Sequence, residues 1–174
     1  MPVKRIILTD TDSGEILNAG RVDASSGVSL AGSADWSISK RTLTGGPSDG
    51  VDVVDLNNGE LSMSILPTRG MGLWKGSYHG IPLGWNSPVA RPVHPRLVNL
   101  EARGGLGWLG GFNELMCRCG LSFNGPPGID RVVDENGHAT ESEITLHGKI
   151  ANIPANHVAV EISNEGPGTL SVTG

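Results

Sequence analysis

An all-β fold of antiparallel strands follows from three features of the sequence. Gly and Pro are abundant, 26 and 11 of 174 residues, and both penalise helix interiors. Short apolar runs with a period of two recur along the chain. No stretch keeps a 3.6-residue apolar period over three turns. The packing this predicts is a β-sandwich, in which each strand buries one face and wets the other.

The strands can be taken in order. Residues 6–9 (IILT) are apolar and β-branched, and 36–43 (WSISKRTL) set Trp36 and Ile38 opposite Ser37 and Ser39. Residues 51–56 (VDVVDL) follow a Gly-Pro-Ser-Asp-Gly turn. The clearest alternation is 61–65, with Leu61, Met63 and Ile65 against Ser62 and Ser64. Asn57-Asn58-Gly59 joins these last two runs as a hairpin turn, since Asn and Gly tolerate positive φ. Later runs are 115–119 (LMCRC), 143–147 (EITLH), 157–163 (HVAVEIS) and a final strand in TLSVTG. Residues 96–101 or 111–116 offer a turn or two of helix at most. A sandwich that stopped at TLSVTG would leave open strand edges, which favour self-association.

Between Gly76 and Asn113 the alternation lapses. The segment carries Trp85 and Trp108 among prolines and glycines. Two Trp and many aliphatics argue against disorder, so an ordered loop rimming a site is expected.

Composition narrows the function classes. Thirteen Lys and Arg stand against 18 Asp and Glu, a net charge of −5, and no basic cluster invites nucleic acid. No apolar run reaches the roughly 20 residues of a membrane helix. The N-terminus turns polar too soon for a signal peptide. Cys117 and Cys119 are too close for an ordinary structural disulfide, which fits a reducing, cytoplasmic setting. One Cys-x-Cys without a second pair is a poor zinc signal, so no metal is expected and both thiols read as small core filler.

Three motifs carry candidate chemistry. In 66–74 (LPTRGMGLW), Pro67 ends a strand and Arg69 stands at its exit, as a strand-end ion pair or as a fork for hydroxyls or a carboxylate. In 104–128, Arg118 projects opposite its two Cys neighbours, before a turn at Asn124-Gly125. A buried Arg needs a partner, so Arg118 is either a core ion pair or a ligand contact. In 146–155 (LHGKIANIPA), His147 ends a strand and Gly148 frees the next step, leaving an imidazole at a sheet rim able to meet hydroxyls, or a plain surface His. Trp85 and His94, in the irregular segment, are candidates for the site rim. The chain has no G-x-S-x-G elbow, Walker loop or H-E-x-x-H pair.

Taken in order, these motifs resemble the aldose 1-epimerase or galactose mutarotase-like family, and more narrowly its uncharacterised bacterial branch known as a domain of unknown function. The phrases that carry the resemblance are SDGVDVV (48–54), LPTRGMGLWKG (66–76), LGWNSPV (83–89), PVHP (92–95), GLGWLGGFNELMCRCGL (105–121) and LHGKIANIPA (146–155). The resemblance implies an antiparallel β-sandwich of the mutarotase (supersandwich) type, with a monosaccharide or sugar derivative on a concave sheet face and no cofactor. It also implies ring opening by a carboxylate base and a His acid, with an Arg and the His of a His-Gly pair holding the sugar. Arg118 and His147 fall where those sugar-holding residues would lie, with Arg69 and Asn124 as further binding candidates.

Family members are longer, and their catalytic His and Glu come from the second half. Nothing here matches those two, so no catalytic residue is identified in this chain. Residues 1–174 therefore read as the N-terminal portion of a single, incomplete mutarotase-like domain. The alternative is a non-catalytic carbohydrate-binding β-sandwich.

Overall fold

The structure is a computed structural model that describes residues 4–30, 32–33, 35–166 and 168–174. Its strands, in chain order, are β1 (Lys4–Asp10), β2 (Glu15–Ile16), β3 (Gly20–Asp23), β4 (Ser37–Thr42), β5 (Asp52–Asn57), β6 (Leu61–Leu66), β7 (Gly72–Tyr78), β8 (Ile81–Leu83), β9 (Gly128–Val133), β10 (Ala139–Ile144), β11 (His157–Ser163) and β12 (Thr169–Thr173). They form a six-stranded sheet β3-β4-β5-β6-β7-β8, a four-stranded sheet β12-β11-β1-β2 and a hairpin β9-β10. All of these pairs are antiparallel. The chain is therefore all-β, as its sequence predicts. Among the described residues, no helix is long and apolar enough to cross a membrane.

The meander from β3 to β8 is a run of short connections. At its centre Asn57 pairs with Ser62, and the turn between them is tied by side chains. Asn57 Oδ1 accepts from Gly59 N at 2.9 Å, and Asn58 Oδ1 accepts from Leu61 N at 2.7 Å. These Asx bonds set the register, so Leu56 meets Met63 and the apolar set stays on one face.

The main core lies between the two larger sheets. Trp36, Ile38 and Val54 pack with Leu8, Val158, Val160 and Ile162, joined by Leu30. Lys40 is also buried there. Its Nζ donates to Leu8 O at 3.2 Å and Thr9 Oγ1 at 2.9 Å and pairs with Asp52 Oδ2 at 3.0 Å, so the charge is compensated on entering the core. Val53 points the other way from Val54 and joins Val51, Leu43 and Leu66 in a second cluster, with Trp74 against it.

The expected strands at 6–9, 36–43, 51–56, 61–65 and 157–163 and in TLSVTG are present with shifted ends. Two expectations are corrected. Residues 115–119 form no strand, because only Met116 bridges to β7, at Leu73, and from Gly76 that edge already belongs to β8. The strand expected over 143–147 ends at Ile144, since His147 and Gly148 have left-handed φ values of 57° and 74°, which cannot continue an extended ladder. The irregular segment begins later than expected, after β7 and β8. Its one α-helical stretch, Ala102–Gly105, is broken by Arg103 and Gly104 at positive φ.

Candidate functional site

The site is built from the Pro67 turn outward. Pro67 closes β6 by opening a single 3-10 turn, Pro67–Arg69, which ends on Gly70 in the left-handed region. Thr68 Oγ1 accepts from Asp52 N at 2.9 Å and pins the turn to β5. Arg69 is thereby turned inward, and its side chain is 1% exposed. Its Nε donates to Glu114, whose side chain is fully buried. Its Nη1 donates to Val93 O at 2.8 Å and to Asn152 Oδ1 at 3.2 Å. The second Glu114 oxygen accepts from Asn113 N at 2.9 Å. A buried ion pair persists only when further hydrogen bonds offset its desolvation. Here they do, and the same bonds join four distant segments of chain.

The irregular segment is laid over this pair. Leu115 N donates to Trp74 O at 2.9 Å, and Met116 exchanges two backbone bonds with Leu73. Gly111 passes close to the guanidinium, where a Cβ would stand 2.9 Å from Val98 Cγ2 and 3.1 Å from Arg69 Nη1, so a side chain there would push on both. Trp85 Nε1 donates to Glu114 O at 2.9 Å, Ser87 Oγ to Phe112 O at 2.7 Å, and Asn113 Nδ2 to Val89 O.

These bonds align a row of rings. Trp85 tilts against Phe112 with centroids 5.0 Å apart, and Phe112 stacks on Trp108 at 4.7 Å. The Trp108 ring in turn meets the His147 ring edge-on at 5.2 Å. Such offset and edge contacts suit ring quadrupoles. The row runs from a half-exposed Trp85 inward to a buried Trp108. His147 Nδ1 is buried without a hydrogen-bond partner among the described residues.

His147 is held by its backbone. Its N donates to Gly125 O at 2.9 Å, and its O accepts from Gly120 N at 3.2 Å. Gly148 fits beneath only as glycine, since a Cβ would lie 2.7 Å from Phe123 O. The loop that carries Arg118 and Asn124 is thus stitched to the His147 turn, and both of those side chains are exposed. Cys117 is half-buried and Cys119 exposed. Neither is core filler, because residues 117–119 lie outside every strand and sheet layer.

His94 lies behind Arg69, one residue after the carbonyl that Arg69 grips. Its Nδ1 accepts from Arg96 N at 3.2 Å, capping the short Pro95–Leu97 turn. Partial burial, then the positive charges of Arg96 and Arg69, hold its pKa below the ordinary histidine value, with Asp49 opposing.

The sequence-derived candidates therefore fall into two tiers. His147, Arg118 and Asn124 belong to one pair of interlocked turns, and Trp85 reaches His147 through Phe112 and Trp108. Arg69 and His94 belong to the support beneath. Reading the sequence missed Glu114, Asn113, Asn152 and Phe112. Glu114 left one signal: a lone carboxylate in a glycine-rich apolar stretch needs a buried partner. The outer tier offers a guanidinium, an amide and an imidazole, all able to bond hydroxyl groups. Glu114 is committed to Arg69 and to Asn113 N. Among the described residues, no three His, Cys, Asp or Glu side chains gather as a metal site.

A hollow of about 520 Å³ lies elsewhere, between Leu56, Leu61 and Met63 on one side and Leu170 on the other. Its lining includes one ionisable side chain, Glu60, and neither Arg nor His. Its lining shares no residue with the Arg118 and His147 turns.

Comparison with known proteins bears on the fold and the family. No curated protein matches the chain. The crystal structure of a "putative aldose 1-epimerase" from Klebsiella pneumoniae subsp. pneumoniae MGH 78578 is similar, with 34% identity and a TM-score of 0.83. The match covers 98% of this chain and 42% of that one, so this chain spans well under half of that protein's length. The sandwich is thus of the aldose 1-epimerase type. The family described as Domain of unknown function (DUF4432) matches residues 48–174, and the chain belongs to that family.

Proposed function

We propose that residues 1–174 are the N-terminal portion of a single mutarotase-like β-sandwich that binds a monosaccharide or sugar derivative within an aldose 1-epimerase-like, cytoplasmic protein. In such a protein a base takes the anomeric hydroxyl proton while an acid protonates the ring oxygen. The C1–O5 bond opens, the aldehyde rotates, and the ring recloses in either configuration. His147, Arg118 and Asn124 hold hydroxyl groups, Trp85 borders the site, and Arg69 with Glu114 keeps the loop in place. The observation that carries this reading is the stitching of the His147 turn to the 120–125 turn, within a fold similar to the Klebsiella protein. Fold alone would not support it, because one fold hosts many functions.

A second reading is a non-catalytic carbohydrate-binding sandwich: in this chain the buried Glu114 is committed to Arg69 and to Asn113 N. The test is sugar titration followed by NMR exchange between anomers of glucose and galactose. Saturable binding that His147→Ala weakens supports sugar recognition. Residues 1–174 are expected to leave exchange at its uncatalysed rate, and a longer chain supplying the acid and base to accelerate it. A longer chain that binds sugar without acceleration selects the second reading, and absence of binding by either chain overturns both.

A further inference from the structure

Cys117 and Cys119 place their sulfur atoms 3.7 Å apart, in van der Waals contact and on the same side of an extended segment. Residues two apart in extended chain have Cα atoms about 6.7 Å apart, at the upper end of the roughly 4.4–6.8 Å that a disulfide spans. Closure needs the sulfurs to approach to about 2.05 Å. The backbone can yield, because residues 117–119 belong to no strand. Among the described residues, the segment's flanking backbone bonds lie beyond them, at Met116 to Leu73 and at Gly120 to His147.

We propose that Cys117 and Cys119 form an oxidant-responsive dithiol that closes to an intrachain disulfide and thereby puckers the loop at Arg118. The oxidant is a peroxide. Deprotonated Cys119 Sγ, the exposed sulfur, attacks one peroxide oxygen. The O–O bond breaks, hydroxide leaves, and Cys119 becomes a sulfenic acid, its sulfur oxidised by two electrons. Cys117 Sγ then attacks that sulfur, forming the S–S bond and breaking the S–O bond. The departing oxygen takes the Cys117 proton and leaves as water, and the first hydroxide is reprotonated. Two thiols and one hydrogen peroxide give one disulfide and two waters. The order of attack follows from the surroundings: burial first, then the neighbouring Cys119, pushes the Cys117 thiol up to about 12, so Cys117 stays protonated until the sulfenic acid is beside it.

Arg118 is the chain residue between the two cysteines, so closure moves the residue proposed to hold sugar. That consequence rests on the proposed function, whereas the disulfide chemistry does not. The folded chain is treated with equimolar hydrogen peroxide, alkylated without reductant, and weighed intact. The expected product is a monomer lighter by two hydrogens, with neither thiol alkylated and both recovered by dithiothreitol. A stable gain of oxygen, a disulfide-linked dimer, or two thiols that still alkylate overturns the proposal. The Cys119→Ser variant, altered at an exposed position, is expected to keep its unfolding transition and lose the reaction. If it closes no ring yet shows the same mass loss, the assignment is wrong. Sugar affinity should fall roughly tenfold on oxidation, the loss of about one charged hydrogen bond. A disulfide that leaves a measurable affinity unchanged overturns the link to Arg118. A disulfide with no sugar binding in either state retires the sugar reading and leaves the dithiol standing.

Discussion

The two faces of the six-stranded sheet are covered by opposite means. One face is covered by β1, β11 and β12 through interlocking aliphatic side chains, with Lys40 as its buried cation. The other, at the end where β5 begins and β6 stops, is covered by the irregular segment through Arg69, Glu114, Asn113 and Asn152. Among the described residues, five of the six buried polar side-chain atoms without a partner, on Trp108, Asn113, Thr145, His147 and Asn152, lie on this second side. Only Trp36 lies in the sandwich core. Apolar packing loses stability in small steps, because each contact is weak and a deleted methylene costs only about 0.5–1.5 kcal/mol. A buried polar network does not, since each group it strands keeps its full desolvation cost. A rigid support of this kind is what a binding surface requires.

The sharpest way to break this contrast is to remove one member of the ion pair. Glu114→Ala leaves the Arg69 guanidinium buried and uncompensated, and should destabilise the chain by about 3–5 kcal/mol. Arg69→Met with Glu114→Leu removes both charges and should recover much of that loss. Urea denaturation of the two variants decides it. Equal destabilisation by the single and double changes would mean that the pair matters through its shape and not its charge.

The sandwich should respond more mildly. Ile162→Val deletes one methylene from a fully buried position on β11 and should cost about 0.5–1.5 kcal/mol. A shift of the denaturation midpoint beyond that range would show that this face is as brittle as the other.

The same contrast explains what the sequence reveals. Trp36, Ile38, Val54 and Ile65 announce their strands because burial on one face of a ladder writes a period of two into local sequence. The Asn57-Asn58-Gly59 turn is equally local, since its bonds run two and three residues along the chain. Arg69 and Glu114 are 45 positions apart, and nothing near either one names the other. Residues 115–119 look like a strand locally, yet the partner edge they need is occupied by β8. Arg118 and His147 were legible as candidates through family resemblance. What joins them is a pair of backbone bonds, Gly120 N to His147 O and His147 N to Gly125 O, and side-chain chemistry carries no trace of these.

Exposed residues of the outer tier should be nearly silent in stability. Arg118→Ala removes an exposed side chain with no hydrogen-bond or ion-pair partner among the described residues, so it should change unfolding free energy by no more than about 0.5 kcal/mol. Sugar affinity in the same variant should still fall roughly tenfold if the guanidinium holds a hydroxyl. Calorimetric titration beside denaturation separates the two effects. A large loss of stability would move Arg118 from the outer tier to the support.

The smallest expected effect is a pH dependence arising from His94 in the support. Its folded-state pKa is lowered by partial burial, then by Arg96 and Arg69, against the opposing charge of Asp49. Above the ordinary histidine value of about 6.5, the ring is neutral in both the folded and unfolded chain, and its contribution does not change with pH. As pH falls below that value the unfolded chain takes up the proton first, so the folded state loses stability. The loss ends once pH has dropped through the lower folded-state value, where both forms are charged. His94→Gln removes the titration and keeps a side chain able to accept from Arg96 N. Urea midpoints for the two chains should therefore converge as pH falls through this window, with the wild-type advantage largest above it. Curves that stay parallel would mean that His94 titrates alike in both states and that the charges of the support do not reach it.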